Sequence, residues 1–188
     1  MNGVIVLRKD ILLLATIIIL GIFLIKGTKI QSVEEYYLTH IDEITPDSDT
    51  IRISIRVDAI LKDINNLTPS LRSEKYVPRN GAILDEVEYV LRSGDTVFDV
   101  LLRTARHNKI HLDYQGSDEN RFGSVYIKGI NHLYEFSCGP LSGWMYEVNG
   151  DFPDYGVSKY ELEDNDVITF HYTCDLGRDL GLAFNKTR

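Results

Sequence analysis

The chain has 188 residues, 44% hydrophobic and 26% charged, a balance that fits one globular domain with extensions and excludes a disordered chain. A net charge of -8 with no basic stripe excludes nucleic acid as a partner, and it gives no help at an anionic membrane. The two cysteines are 36 positions apart with no C-x-x-C between them, which excludes a local dithiol or zinc motif.

Residues 1–29, MNGVIVLRKDILLLATIIILGIFLIKGTK, contain fifteen uncharged, mostly branched residues from Ile11 to Ile25 between Arg8-Lys9 and Lys26. Such a run targets a membrane. It is shorter than the roughly 20 residues that cross the hydrocarbon core upright. Ile25 to Ile30 offers no A-x-A site for cleavage, and no Cys follows to accept a lipid. The reading favoured over a cleaved signal or a buried core helix is an uncleaved signal-anchor over residues 1–28, with Arg8, Lys9 and Lys26 snorkelling to the interface. The flanking charges nearly balance, so orientation rests on the long domain that follows, which is expected to be exported. The protein is then expected in the cell membrane as a single-pass chain with its domain extracytoplasmic.

Residues 29–50 read as a stalk, with Ser32 and Glu35 forming a capping box for a helix to about Ile44 that TPDSD ends. The domain is expected over residues 51–181 and a tail over 182–188. IRISIRVDAIL alternates, with Ile51, Ile53, Ile55 and Val57 on one face, so it reads as a half-buried strand. The polar KDINNLTPSLRSEKYVPRNG reads as a long loop, and Val87 to Leu91 as a short strand. SGDTVFDVLLRTARHN opens on the cap candidate Gly94-Asp95. Its apolar face, Val97, Val100, Leu101, Thr104 and Ala105, predicts an amphipathic helix. Short apolar runs at IHLDY, SVYIKGI, HLYEF, GWMYEVNG and DVITFHYT then predict strands. A strand, one helix and several more strands give an α+β fold, a β-grasp-like small mixed sheet around one helix.

Catalytic constellations are absent, so the chain reads as no enzyme. In GPLSG the serine, Ser142, is at the fourth position and not the third, which is a turn and no nucleophile elbow. His40, His107, His111, His132 and His171 share no ligand spacing, and no metal site is expected. By parity Tyr134, Phe136 and Cys138 share a face, as do Ile168, Phe170, Tyr172 and Cys174. Both thiols should point inward, as a Cys138–Cys174 disulfide or as two free thiols.

The stretches GDTVFDVLLRTARHNKI, LYEFSCGPLSGWMYEVNG and DYGVSKYELEDNDVITFHYTCDLGRDLG resemble the transcobalamin-like C-terminal domain family of bacterial cell-surface proteins, over about Ile51 to Gly181. The resemblance implies a β-grasp-type domain, export and, by analogy, binding of a corrinoid such as cobalamin or another small ligand. Relatives carry Cys at the positions of Val57 and Val157, which here would fill the space of a lost disulfide. They carry Gly at the position of Asn165, a residue that also tolerates a left-handed backbone. The helical partner that clamps the ligand in transcobalamin is absent from this chain. The candidate ligand-binding residues are Trp144, Met145, Tyr146 and Tyr155. Two readings remain open: a membrane-anchored module for a small ligand, and a structural or adhesive cell-surface domain whose partner is protein or wall polymer.

Overall fold

The computed structural model describes residues 11–22, 32, 36 and 40–182. Two units are distinguished, Met1–Tyr36 and Tyr37–Arg188. In the first, residues 11–22 are helical with their apolar side chains exposed. Among the described residues no helix is long and apolar enough to cross a membrane, and the remainder of the expected anchor, residues 1–10 and 23–28, lies outside them.

The second unit is an α+β domain. Strand β1 (Thr50–Arg56) lies inside a four-stranded sheet, antiparallel to β2 (Ala82–Val90) and parallel to β7 (Val167–Thr173). Strand β6 (Gly143–Val148) closes the far side antiparallel to β7, giving the order β2-β1-β7-β6. A second antiparallel sheet of three short strands follows the order β3 (Leu112–Gln115), β4 (Tyr126–Ile130), β5 (Leu133–Tyr134). Strict alternation explains β1: Ile51, Ile53 and Ile55 are fully buried while Arg52 is exposed and pairs with Glu86. Ser54, on the polar side, is nevertheless covered and meets Thr169 at 3.2 Å.

The expected strand through Leu61 stops at Arg56. Residues Asp58–Lys62 form a short helix, α1, whose Ala59 and Ile60 are buried. Arg56 grips Asp58 with both Nε and a terminal nitrogen at 2.8 Å, and the left-handed Gly81 lies so close that a Cβ there would strike the Asp58 carboxylate. Where the stalk helix is expected to reach Ile44, residues 40–45 are not helical, and Asp42 instead accepts from Arg92 Nε at 2.7 Å; residues 33–35 and 37–39 lie outside the described residues.

Helix α2 (Val97–His107) has the expected apolar face, but its cap differs from the expected Gly94-Asp95. Thr96 is the N-cap and forms a reciprocal capping box with Asp99. Asp95 is free for another task. It accepts from the Arg92 N–H and pairs with Arg103 at 2.7 Å, both side chains being nearly inaccessible, while Arg103 also donates to Val90 O. The sequence pattern concealed this pair, because Arg103 sits beside the apolar stripe. Val97, Val100 and Leu101 are fully buried against the sheet, each stabilising by about 1.5–3 kcal/mol.

A second core collects Val57, Ile60, Leu67, Val77, Leu133, Cys138 and Tyr172. Leu67 and Val77 come from the segment read as polar loop, whose spacing carried no period to mark them. Cys138 and Cys174 form a disulfide with a Cα separation of 5.4 Å. Parity accounts for the Cys174 side, where Ile168, Phe170 and Tyr172 are buried. It fails on the Cys138 side: β5 ends at Tyr134, and Phe136 adopts φ +66° and is exposed. A turn, not a strand row, turns Cys138 inward. Val57 and Val157 are both buried but in different cores, so they do not fill one shared gap. Asn165 is left-handed, φ +68°.

Candidate functional site

Three elements, the first two neighbours in sequence and the third distant from them, meet along the β6 side of the domain. The first is the turn at 120–124. Asn120 Nδ2 donates to Gly116 O and Ser124 O, and its Oδ1 accepts the Phe122 N–H, so the Phe122 ring is presented outward. The second is the start of β4 at Tyr126. The third is the 153–159 loop carrying Tyr155. Ser158 Oγ stitches the first to the third, accepting the Val125 N–H at 3.0 Å and meeting Ser124 Oγ at 3.0 Å. Gly156 is obligatory there, since a Cβ would overlap the Ser124 hydroxyl.

Between them lies a groove of about 520 Å³ whose walls include Phe122, Tyr126, Pro153, Asp154, Tyr155 and Lys159. Phe122 and Tyr155 are each 65% exposed and Tyr126 is 42% exposed. Such a volume is within the range of small-ligand sites. Large rings left in water at one place are the informative exception to normal burial. Lys159 Nζ donates to Phe122 O at 3.3 Å, and the Arg121 guanidinium lies over the Phe122 ring, 5.1 Å from its centroid. The Tyr126 hydroxyl donates to Glu135 at 2.6 Å. Burial first and the carboxylate second push its pKa up to about 12, so it stays a neutral donor at physiological pH.

Tyr126 also borders two smaller hollows. One, of about 130 Å³, is floored by Trp144, Met145, Tyr146 and Phe170. The other, of about 160 Å³, is bordered by Phe136, Leu141 and Leu176, each of them an exposed apolar side chain.

The four candidate residues therefore divide. Tyr155 borders the groove. Its carbonyl accepts the Tyr146 hydroxyl at 2.7 Å, and burial pushes the Tyr146 pKa up to about 12. Trp144 is half-buried. Its indole N–H donates to Leu133 O at 2.7 Å, its ring meets Tyr172 edge-on at 5.2 Å, and it packs against both cores. Met145 is half-buried against Gly177. Trp144 and Tyr146 thus serve packing first and expose only their flanks to the hollow. Phe122, Tyr126 and Lys159 were not singled out from the sequence. The exposed aromatic in the turn-like NRFGS was the available signal.

Ser142 is a structural residue. Its Oγ accepts the Cys138 N–H and the Tyr172 hydroxyl and donates to Gly139 O. Two histidines that share no sequence motif do meet: the His111 and His132 rings stack with centroids 4.1 Å apart, and His111 Nε2 lies 3.3 Å from the Tyr134 hydroxyl. Burial, then His111 and Lys75, lower the His132 pKa. Among the described residues no three His, Cys, Asp or Glu side chains are grouped to hold a metal ion.

Residues 94–174, less than half of the chain, match a family described as a domain of unknown function (DUF4430). Among solved structures the chain is similar to a Ruminococcus gnavus protein with a provisional metal-binding name. That similarity has 8% identity and a TM-score of 0.42, covering 66% of this chain and 96% of the other. It is also similar to haptocorrin, solved in complex with Cbi, at 13% identity and a TM-score of 0.45, over 71% of this chain and 27% of haptocorrin. No curated protein matches the chain.

Proposed function

We propose that this chain is a non-enzymatic binding module of the transcobalamin-like, β-grasp type. In this reading residues 1–28 hold it in the membrane, and the extracytoplasmic domain takes a flat, largely apolar ligand of the corrinoid kind in the groove between Phe122, Tyr126 and Tyr155. The observation that carries this reading is the groove itself: three outward rings on a frame that hydrogen bonds from Asn120 and Ser158 hold in place. Aromatic faces held rigidly in water lose little entropy when a flat ligand covers them. Supporting export, the Cys138–Cys174 disulfide is a bond that persists in oxidising compartments.

The test is calorimetric titration of the full chain in lipid nanodiscs with cobinamide. Binding is expected to be weak, with Kd on the order of micromolar or poorer, because one open groove covers only part of such a ligand. Tyr155→Ala should abolish it while leaving the thermal midpoint unchanged. No heat at millimolar cobinamide would overturn the ligand reading. A second reading, docking of a protein or wall polymer, is favoured by one further observation. The apolar strip continues past the groove to Phe136, Leu141 and Leu176, farther than one small ligand needs.

A further inference from the structure

The walls of the groove are largely apolar, but charged side chains stand among and beside them. In a chain with a net charge of -8, the Phe122 end carries two cations, Arg121 over the ring and Lys159 on the backbone carbonyl. Neither forms an ion pair among the described residues. A carbonyl dipole and an aromatic face are weaker partners than a carboxylate, so both cations keep capacity for an anion. Of the nearby carboxylates, Glu135 is occupied by the Tyr126 hydroxyl, and Asp154, which also lines the groove, forms no ion pair with Arg121 or Lys159 among the described residues. The Tyr126 hydroxyl cannot serve a ligand's anion while it donates to Glu135, which leaves the Phe122 end as the place where negative charge is welcome.

We propose that the ligand of this groove is a planar organic anion, with its apolar body against Tyr126 and Tyr155 and its carboxylate or phosphate at Lys159 and Arg121. The inference rests on the ligand reading above and adds to it the charge that the ligand must carry and the end of the groove where that charge sits. Each exposed ion pair contributes modestly, so two of them together should favour the anion by about tenfold at low salt, about 1.4 kcal/mol. That advantage should fade as added salt shortens the screening length.

The test compares cobyrinic acid, whose side chains end in free carboxylates, with cobinamide, in which they are amidated, on the full chain in nanodiscs of neutral lipid. At low salt cobyrinic acid should bind about tenfold more tightly. The ratio should fall toward one at molar salt and in the Arg121→Gln/Lys159→Gln double variant, whose circular dichroism should match the parent. A phosphorylated planar probe, riboflavin phosphate against riboflavin, distinguishes phosphate from carboxylate as the preferred group. Equal affinity for cobyrinic acid and cobinamide, or a ratio that survives in the double variant, overturns the charge inference and leaves the groove reading standing. Binding of neither corrinoid overturns both.

Discussion

The inner face of the four-stranded sheet and the strip along its β6 side follow opposite rules. On the inner face β1, β7 and α2 bury Ile53, Phe170 and Leu101 completely, and the charged pair beside them, Asp95 with Arg103, is matched atom to atom. Along the strip, Phe122 and Tyr155 stand in water, and Arg121 and Lys159 form no ion pair among the described residues. The first region spends its residues on stability and the second holds them available for contact. The difference teaches where to look for function in a small domain: at the side chains that the fold can do without.

That contrast can be broken most decisively at Asp95. Asp95→Ala leaves Arg103 buried without its partner and should cost about 3–5 kcal/mol in chemical denaturation. A loss below 1 kcal/mol would mean that the pair is as dispensable as the strip. Next comes the disulfide. Replacing Cys138 and Cys174 together by Ala reopens a loop of 36 residues and should cost about 4 kcal/mol on the chain-entropy account, seen as a lower denaturation midpoint that reductant no longer changes. A smaller effect of opposite sign is expected at Thr104, whose buried hydroxyl has no hydrogen-bond partner among the described residues. Thr104→Val should stabilise by about 1 kcal/mol, and destabilisation would reveal a hidden partner.

The smallest effect concerns pH. His171 has its pKa lowered in the folded state, chiefly by burial, with Glu147 opposing the shift. A folded pKa below the unfolded value of about 6.5 means that the folded state binds fewer protons. Its contribution is therefore intact above that pH and declines as pH falls through the window beneath it. Denaturation midpoints should drop between pH 7 and 5, and less so in His171→Gln.

The periodic elements were legible in the sequence because repetition is what burial imposes. The alternation of Ile51, Ile53 and Ile55 and the helical spacing of Val97, Val100 and Leu101 led directly to β1 and α2. Features made by single long-range contacts were not legible. Leu67 and Val77 look like loop residues until the second core closes over them. Thr96 took the cap because Asp95 was held by Arg92 and Arg103, a competition invisible to local pattern. The groove was legible only at Tyr155, since Phe122 and Tyr126 become its neighbours through two serine hydroxyls 34 positions apart.

The parallel pairing of β1 with β7 has a mechanical consequence. These are the first and last strands of the domain, joined side by side from Arg52–Val167 to Arg56–His171. A pull on the two ends of the domain, at Thr50 and beyond Thr173, drags the strands past each other lengthwise, so the bonds between them bear the load together and not one after another. Pulled along that axis, the domain should yield at a higher force than when pulled at α1 and beyond Thr173, on the same side of the pair, where the same ladder peels open bond by bond.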